Sequence, residues 1–104
     1  MSWIDIGPVS ALADGEFICV DVDEQEVLVY NIATEYFAIA NHCSHDGGEI
    51  AGGDIIDGEI VCPRHGARFC LKTGAVRCPP AYEDISSYPV RIAEHRLWLG
   101  VDID

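Results

Sequence analysis

The stretch Cys62–Cys70, CPRHGARFC, places a cysteine and a histidine three positions apart, followed at once by a glycine. The apolar segments Ile60–Cys62 and Phe69–Leu71 predict two short strands that flank this loop. A thiolate and an imidazole at this spacing can bind a metal or form a nucleophilic pair. The choice depends on whether a second, matching pair exists elsewhere in the chain.

The second pair lies in residues 43–48, CSHDGG, where Cys43 and His45 are separated by one residue. Sixteen residues, 46–61, separate His45 from Cys62. Each pair comes at the end of an apolar strand, so two similar loops could meet at one end of a sheet. Loops held by a rigid scaffold often carry function, so both loops are candidates for the site.

Two kinds of metal site can use two thiolates and two imidazoles. One is a single zinc ion. The other is a two-iron, two-sulfide cluster with both cysteines on one iron and both histidines on the other. The glycines at positions 47, 48, 52, 53 and 66 let the backbone approach closely, and backbone N–H groups can then point at bridging sulfides. A lone zinc ion needs no such array, so the loop composition favours the cluster.

The combination of C-x-H, a 16-residue spacer and C-P-x-H-G resembles the Rieske [2Fe–2S] motif. The resemblance implies that Cys43, His45, Cys62 and His65 bind one [2Fe–2S] cluster. It also implies a third, proline-bearing loop over the cluster, for which residues 78–82, CPPAY, are suitably placed. The chain length resembles that of the Rieske-type ferredoxins that serve bacterial oxygenase systems.

The remainder of the chain predicts short strands separated by turns. We expect a helical turn at 9–13 and strands at 16–22, 26–30, 36–40, 88–92 and 96–101. Hairpin turns are expected around 23–25 and 94–95. This pattern predicts an all-β fold, an antiparallel β-sandwich or barrel, and the resemblance adds a small cluster-binding subdomain. The 104 residues suit a single domain, 1–104, with cluster-binding loops at about 43–53 and 62–67.

The formal charge of -12 argues against nucleic acid or an anionic membrane as a partner. Residues 1–63 hold 13 Asp or Glu and no Lys or Arg, whereas all six basic residues lie from position 64 onward. The N-terminus has no basic region or long apolar segment that would indicate a secretory signal, so we expect a soluble cytoplasmic protein. Its thiols should be reduced, and Cys19, Cys70 and Cys78 are interpreted as structural.

The resemblance implies a one-electron carrier rather than an enzyme. It would pass electrons from an NAD(P)H-dependent flavoprotein reductase to a terminal oxygenase, through encounters that are small and short-lived. No G-x-G-x-x-G or P-loop motif is present, and no small-molecule substrate is expected. Arg64, Arg68 and Lys72 are candidates for the docking surface. Two alternatives stay open: a redox-sensing or accessory module in iron–sulfur metabolism, and a zinc-stabilised binding domain.

The ligand types and their neighbouring residues also predict the range of the reduction potential. Neutral imidazole ligands leave the oxidised cluster uncharged, which raises the potential into a range of roughly -150 to +300 mV. High-potential Rieske proteins have hydroxyl donors where this chain has Ala67 and Phe69, and a disulfide where it has Gly48 and Arg64. Each missing donor leaves the reduced state less stabilised. We therefore expect a potential at the low end, about -150 mV or a little above.

Overall fold

The computed structural model describes residues 2–44, 47–63 and 65–101. In these ranges it contains the strands β1 (Ser2–Pro8), β2 (Phe17–Val22), β3 (Gln25–Ile32), β4 (Glu35–Ala40), β5 (Ile55–Ile56), β6 (Glu59–Val61), β7 (Arg68–Cys70), β8 (Val76–Cys78), β9 (Ser87–Tyr88), β10 (Val90–Ala93) and β11 (Arg96–Val101). A single 3-10 turn, Val9–Ala11, lies where a helical turn was predicted. Among the described residues, no helix is long and apolar enough to span a bilayer.

The strands form three antiparallel sheets, which confirms the predicted all-β fold. The outer sheet has the order β1-β11-β10, the middle sheet β2-β3-β4-β9, and the small sheet β5-β6-β7-β8. The first candidate loop leaves the middle sheet after β4, and the second connects β6 to β7 in the small sheet. The two loops therefore come from different sheets, and the packing between these sheets brings them together.

Strand β3 connects the packing of the three sheets, because side chains on both of its faces are buried. Val27 and Val29 pack with residues of β11 in one core, and Leu28 and Tyr30 pack with residues of β6 and β7 in the other. Successive side chains of a strand point to opposite faces, so an uninterrupted apolar run is what a central strand requires. The middle sheet accordingly lies between the outer and the small sheet.

Both predicted hairpins are confirmed, β2–β3 and β10–β11. The turn residues are Asp23 and Glu24 in one and Glu94 and His95 in the other, all with φ between 47° and 67°. Two positive φ values in a two-residue loop define the type I′ turn, which matches the twist of the strands. The sequence did not predict β1, β5 and β8. The single strand expected at 88–92 is two strands, β9 in the middle sheet and β10 in the outer sheet.

Candidate metal centre

The two candidate cysteines are buried in one core cluster, in which the middle sheet packs against the small sheet. Cys43 is 0% and Cys62 is 2% exposed, and both belong to the core cluster that also contains Phe69 and Ala81. His65 is exposed, and His45 lies outside the described residues. The structure therefore brings two of the four predicted ligands into one buried cluster and leaves the imidazole of His65 at the surface.

The same backbone turn follows each cysteine. The Cys43 N–H donates to the Gly48 carbonyl at 2.8 Å, and the Gly47 N–H donates back to the Cys43 carbonyl at 2.8 Å. The Cys62 N–H donates to the Ala67 carbonyl at 2.7 Å, and the Gly66 N–H donates to the Cys62 carbonyl at 3.1 Å. The fifth residue is glycine in both turns, with φ of 76° in each. Both loops therefore share these two hydrogen bonds and a left-handed glycine, a conformation that favours this residue.

A third copy of this turn begins at Cys70. The Cys70 N–H donates to the Ala75 carbonyl at 2.8 Å, the Gly74 N–H donates to the Cys70 carbonyl at 2.7 Å, and Gly74 has φ of 78°. A hydrogen bond from the Thr73 hydroxyl, with further donors on Thr73, Lys72 and Arg77, lowers the pKa of the Cys70 thiol to about 7. The turn thus gathers donors around a sulfur, which is how a protein stabilises a thiolate.

The third turn was missed in the sequence, although a signal for it was present. Residues 43–47, 62–66 and 70–74 read CSHDG, CPRHG and CLKTG, so a C-x-x-x-G pattern occurs three times. Only the first two copies contain histidine. The repeated glycine marks the turn, and the histidine distinguishes a candidate ligand loop from a structural one.

Gly53 allows the two candidate ligand loops to approach each other. A Cβ atom at this position would lie 2.0 Å from the carbonyl oxygen of Val61, the residue that precedes Cys62. Its φ lies outside the left-handed region, so close backbone approach, and not an unusual conformation, is what requires glycine here.

The proline-bearing segment packs in the same core cluster as the two candidate cysteines. Ala81 is 3% exposed and packs in the core cluster with Cys43. The Ser44 hydroxyl donates to the Glu83 carbonyl at 2.5 Å, which connects this segment to the first candidate ligand loop. Tyr82, between these two fixed points, is 82% exposed. An aromatic side chain is therefore presented to solvent by a backbone that is held on both sides.

The cationic docking candidates differ in their availability. Arg68 forms an ion pair with Glu59, with Nε 3.0 Å from a carboxylate oxygen. Lys72 is exposed, and Arg64 lies outside the described residues. Elsewhere, partial burial and then the carboxylates of Glu26 and Glu49 raise the pKa of the Cys19 thiol. The thiols of Cys19 and Cys70 are thus in opposite electrostatic environments.

The described donors fit an asymmetric two-iron site. Within the described ranges, which omit His45, no group of three His, Cys, Asp or Glu side chains is placed to hold a single metal ion. Two buried thiols on matching turns can serve one iron, and an exposed imidazole on the second turn can serve the other.

Residues 2–89 match the family described as the Rieske [2Fe-2S] domain. The ferredoxin component of the naphthalene 1,2-dioxygenase/salicylate 5-hydroxylase systems of a Ralstonia species is 33% identical over 101 residues, which cover 97% of each protein. The biphenyl dioxygenase ferredoxin subunit of a Pseudomonas species is 36% identical over 93 residues, covering 88% of this chain and 85% of that protein.

Among solved structures, the ferredoxin of carbazole 1,9a-dioxygenase from Nocardioides aromaticivorans is similar, with a TM-score of 0.89 at 27% identity. The match covers 98% of this chain and 100% of that one. These similarities confirm the resemblance to the Rieske-type ferredoxins of oxygenase systems. The chain therefore belongs to the Rieske [2Fe–2S] family, as one of its ferredoxins, and it carries one [2Fe–2S] cluster.

Proposed function

We propose that this protein carries single electrons from an NAD(P)H-dependent flavoprotein reductase to a terminal oxygenase. The observation that supports this most is the pair of matching turns, which buries Cys43 and Cys62 and exposes His65. The relatives are named as ferredoxin components and subunits of dioxygenase systems, which indicates the class of partners. When bound, the cluster supplies reversible uptake of one electron.

In this proposal the ligands are Cys43, His45, Cys62 and His65. The whole chain, 1–104, forms one Rieske domain, with ligand loops at about 43–53 and 62–67 and the proline loop at about 78–82. The ligand assignment follows the sequence motif, and the burial of the two cysteines and the exposure of His65 support it. A cytoplasmic location is part of the proposal, and the five free cysteines are compatible with a reducing compartment.

The two sides of the site have different tasks. Burial of the cysteines excludes water from the thiolates and strengthens the hydrogen bonds that they receive. The exposed His65 lies where an electron can enter or leave without a large change in structure. Tyr82, exposed on a fixed backbone and followed by Glu83 and Asp84, offers an aromatic contact beside carboxylates. This combination suits a small, transient interface with a basic rim on the partner.

Stopped-flow mixing with the reductase and oxygenase of the same host tests the proposal. NAD(P)H with reductase should bleach the visible absorption of the ferredoxin by one electron per chain, and addition of oxygenase should restore it. If the loaded protein is reduced only by dithionite, and the oxygenase never reoxidises it, the carrier role is wrong.

A further inference from the structure

Asn41 is a buried polar residue immediately before the first ligand loop. It follows the last residue of β4, two positions before Cys43, and it is 8% exposed. Its backbone N–H donates to the Glu26 carbonyl at 2.9 Å, so the main chain at this point is fixed to the neighbouring strand. Its side chain extends from this fixed point toward the far end of the loop.

The side-chain oxygen of Asn41 closes the loop. It accepts hydrogen bonds from the backbone N–H groups of Ile50, at 2.7 Å, and Ala51, at 2.9 Å. Two donors directed at one atom identify that atom as the oxygen of the amide. The contact connects the residue two positions before Cys43 to residues seven and eight positions after it, and so encloses the whole turn that holds Cys43.

The side-chain nitrogen of Asn41 has no hydrogen-bond partner among the residues that the structure describes. This Nδ2 atom is buried. An aspartate here would accept both backbone hydrogen bonds as a charged acceptor, which makes them stronger, and it would leave no buried donor unsatisfied. An aspartate would, however, place a negative charge in this buried position, which costs free energy. The neutral amide leaves one buried, unused N–H donor two residues before Cys43, in the described part of the chain.

We propose that Asn41 is a positioning residue of the redox centre with two tasks. Its oxygen holds the Cys43 loop closed, and its neutral, donating amide nitrogen stabilises the reduced state, in which the site has gained negative charge. The inference rests on the proposed one-electron function and on Cys43 as a ligand. An aspartate would perform the first task and oppose the second, because it replaces an N–H donor with a negative charge.

Two substitutions at Asn41 separate these tasks. Asn41→Leu removes the acceptor, and we expect the amides of Ile50 and Ala51 to exchange with deuterium at least tenfold faster and the cluster to be lost sooner. Asn41→Asp keeps the acceptor, so both amides should stay protected and the cluster should stay bound. Its reduction equilibrium constant should nevertheless fall at least tenfold, which corresponds to 59 mV for one electron.

Asn31→Asp is the matched control. Asn31 is 5% exposed, and its side-chain nitrogen donates to the Leu12 carbonyl at 2.9 Å. Its side-chain oxygen accepts from the Thr34 N–H at 3.1 Å, in a turn at the end of β3. The same chemical change there should destabilise the protein and leave the potential of the remaining loaded protein unchanged.

Either of two results overturns the proposal: unchanged exchange at Ile50 and Ala51 in Asn41→Leu, or an unchanged potential in Asn41→Asp. If the leucine variant does not fold, the potential of the aspartate variant still decides. Failure of the carrier role would look different, because potentials and exchange rates would behave as expected while no electron reached the partner proteins.

Discussion

Replacing Gly53 by alanine tests how the two ligand loops are brought together. The added Cβ would lie 2.0 Å from the Val61 carbonyl oxygen, 3.1 Å from the Val61 carbonyl carbon and 3.2 Å from the Ile50 carbonyl oxygen. Close carbon–oxygen contacts between strands are about 3.3 Å, so roughly 1.3 Å of separation must be found. All three neighbours are backbone atoms, and no rotamer change can relieve the clash.

The expected loss of stability and of cluster content depends on which atoms the clash displaces. Overpacking typically costs about 1–3 kcal/mol, and a backbone clash belongs at the upper end of this range. The displacement falls on Val61, next to Cys62, whereas metal–ligand distances tolerate only about 0.2 Å. We therefore expect Gly53→Ala to reduce unfolding stability by about 3 kcal/mol and to retain less than about a tenth of the normal iron and acid-labile sulfide.

The assay is iron and sulfide content per chain, together with the urea midpoint. Gly52→Ala is the control, because it is the adjacent residue, has φ of 86° and has no atom within 4 Å of the added Cβ. That variant should lose only about 1–2 kcal/mol through backbone strain and keep its cluster. A Gly53→Ala protein with full cluster content and normal stability would refute the argument that backbone contact sets the spacing of the loops.

Three further predictions concern individual side chains. Phe69 is fully buried in the same core cluster as both cysteines. In Phe69→Tyr, the added hydroxyl should donate to a ligand sulfur and raise the reduction potential by about 20–60 mV in a redox titration. An unchanged potential would show that the hydroxyl reaches no sulfur. The thiol of Cys70 should react with iodoacetamide with a midpoint near pH 7, because the thiolate is the nucleophile and the pKa of this thiol is about 7. Cys19, whose pKa is raised, should need more alkaline conditions. Peptide mass spectrometry measures both reactions, and Thr73→Val should shift the Cys70 midpoint upward. Thr34 has φ of 67°, which is strained for a β-branched residue, so Thr34→Gly should raise the free energy of unfolding in urea by about 1 kcal/mol, and a decrease would contradict this reasoning.

The parts of the fold that the sequence predicted are those with a local cause. Strands β3 and β11 are apolar runs bounded by turns, and periodicity identifies such segments well. The short strands β5 and β8, of two and three residues, have no period to detect. They form because the turns at Asp57–Gly58 and Cys70–Ala75 fold the chain back onto β6 and β7. Pairing with neighbouring strands, and not intrinsic preference, makes them strands.

For the site, the sequence predicted four candidate ligands on two loops, but not the shape of the turns or the contacts that support them. Cysteine, histidine and glycine at fixed offsets can be read directly because each has a local role. The contact of Asn41 with Ile50 and Ala51, and that of Gly53 with Val61, join residues that no local pattern relates. Long-range contacts of this kind depend on how the sheets pack, which a single sequence does not reveal.

The central claim is that one iron is bound through sulfur and the other through the nitrogens of His45 and His65. Pulsed electron paramagnetic resonance of dithionite-reduced protein, labelled with nitrogen-15 in histidine, measures this directly. The account predicts an average g below that of all-cysteine clusters and a strong nitrogen coupling from each of the two histidines. A reduced cluster with no strongly coupled histidine nitrogen would contradict it.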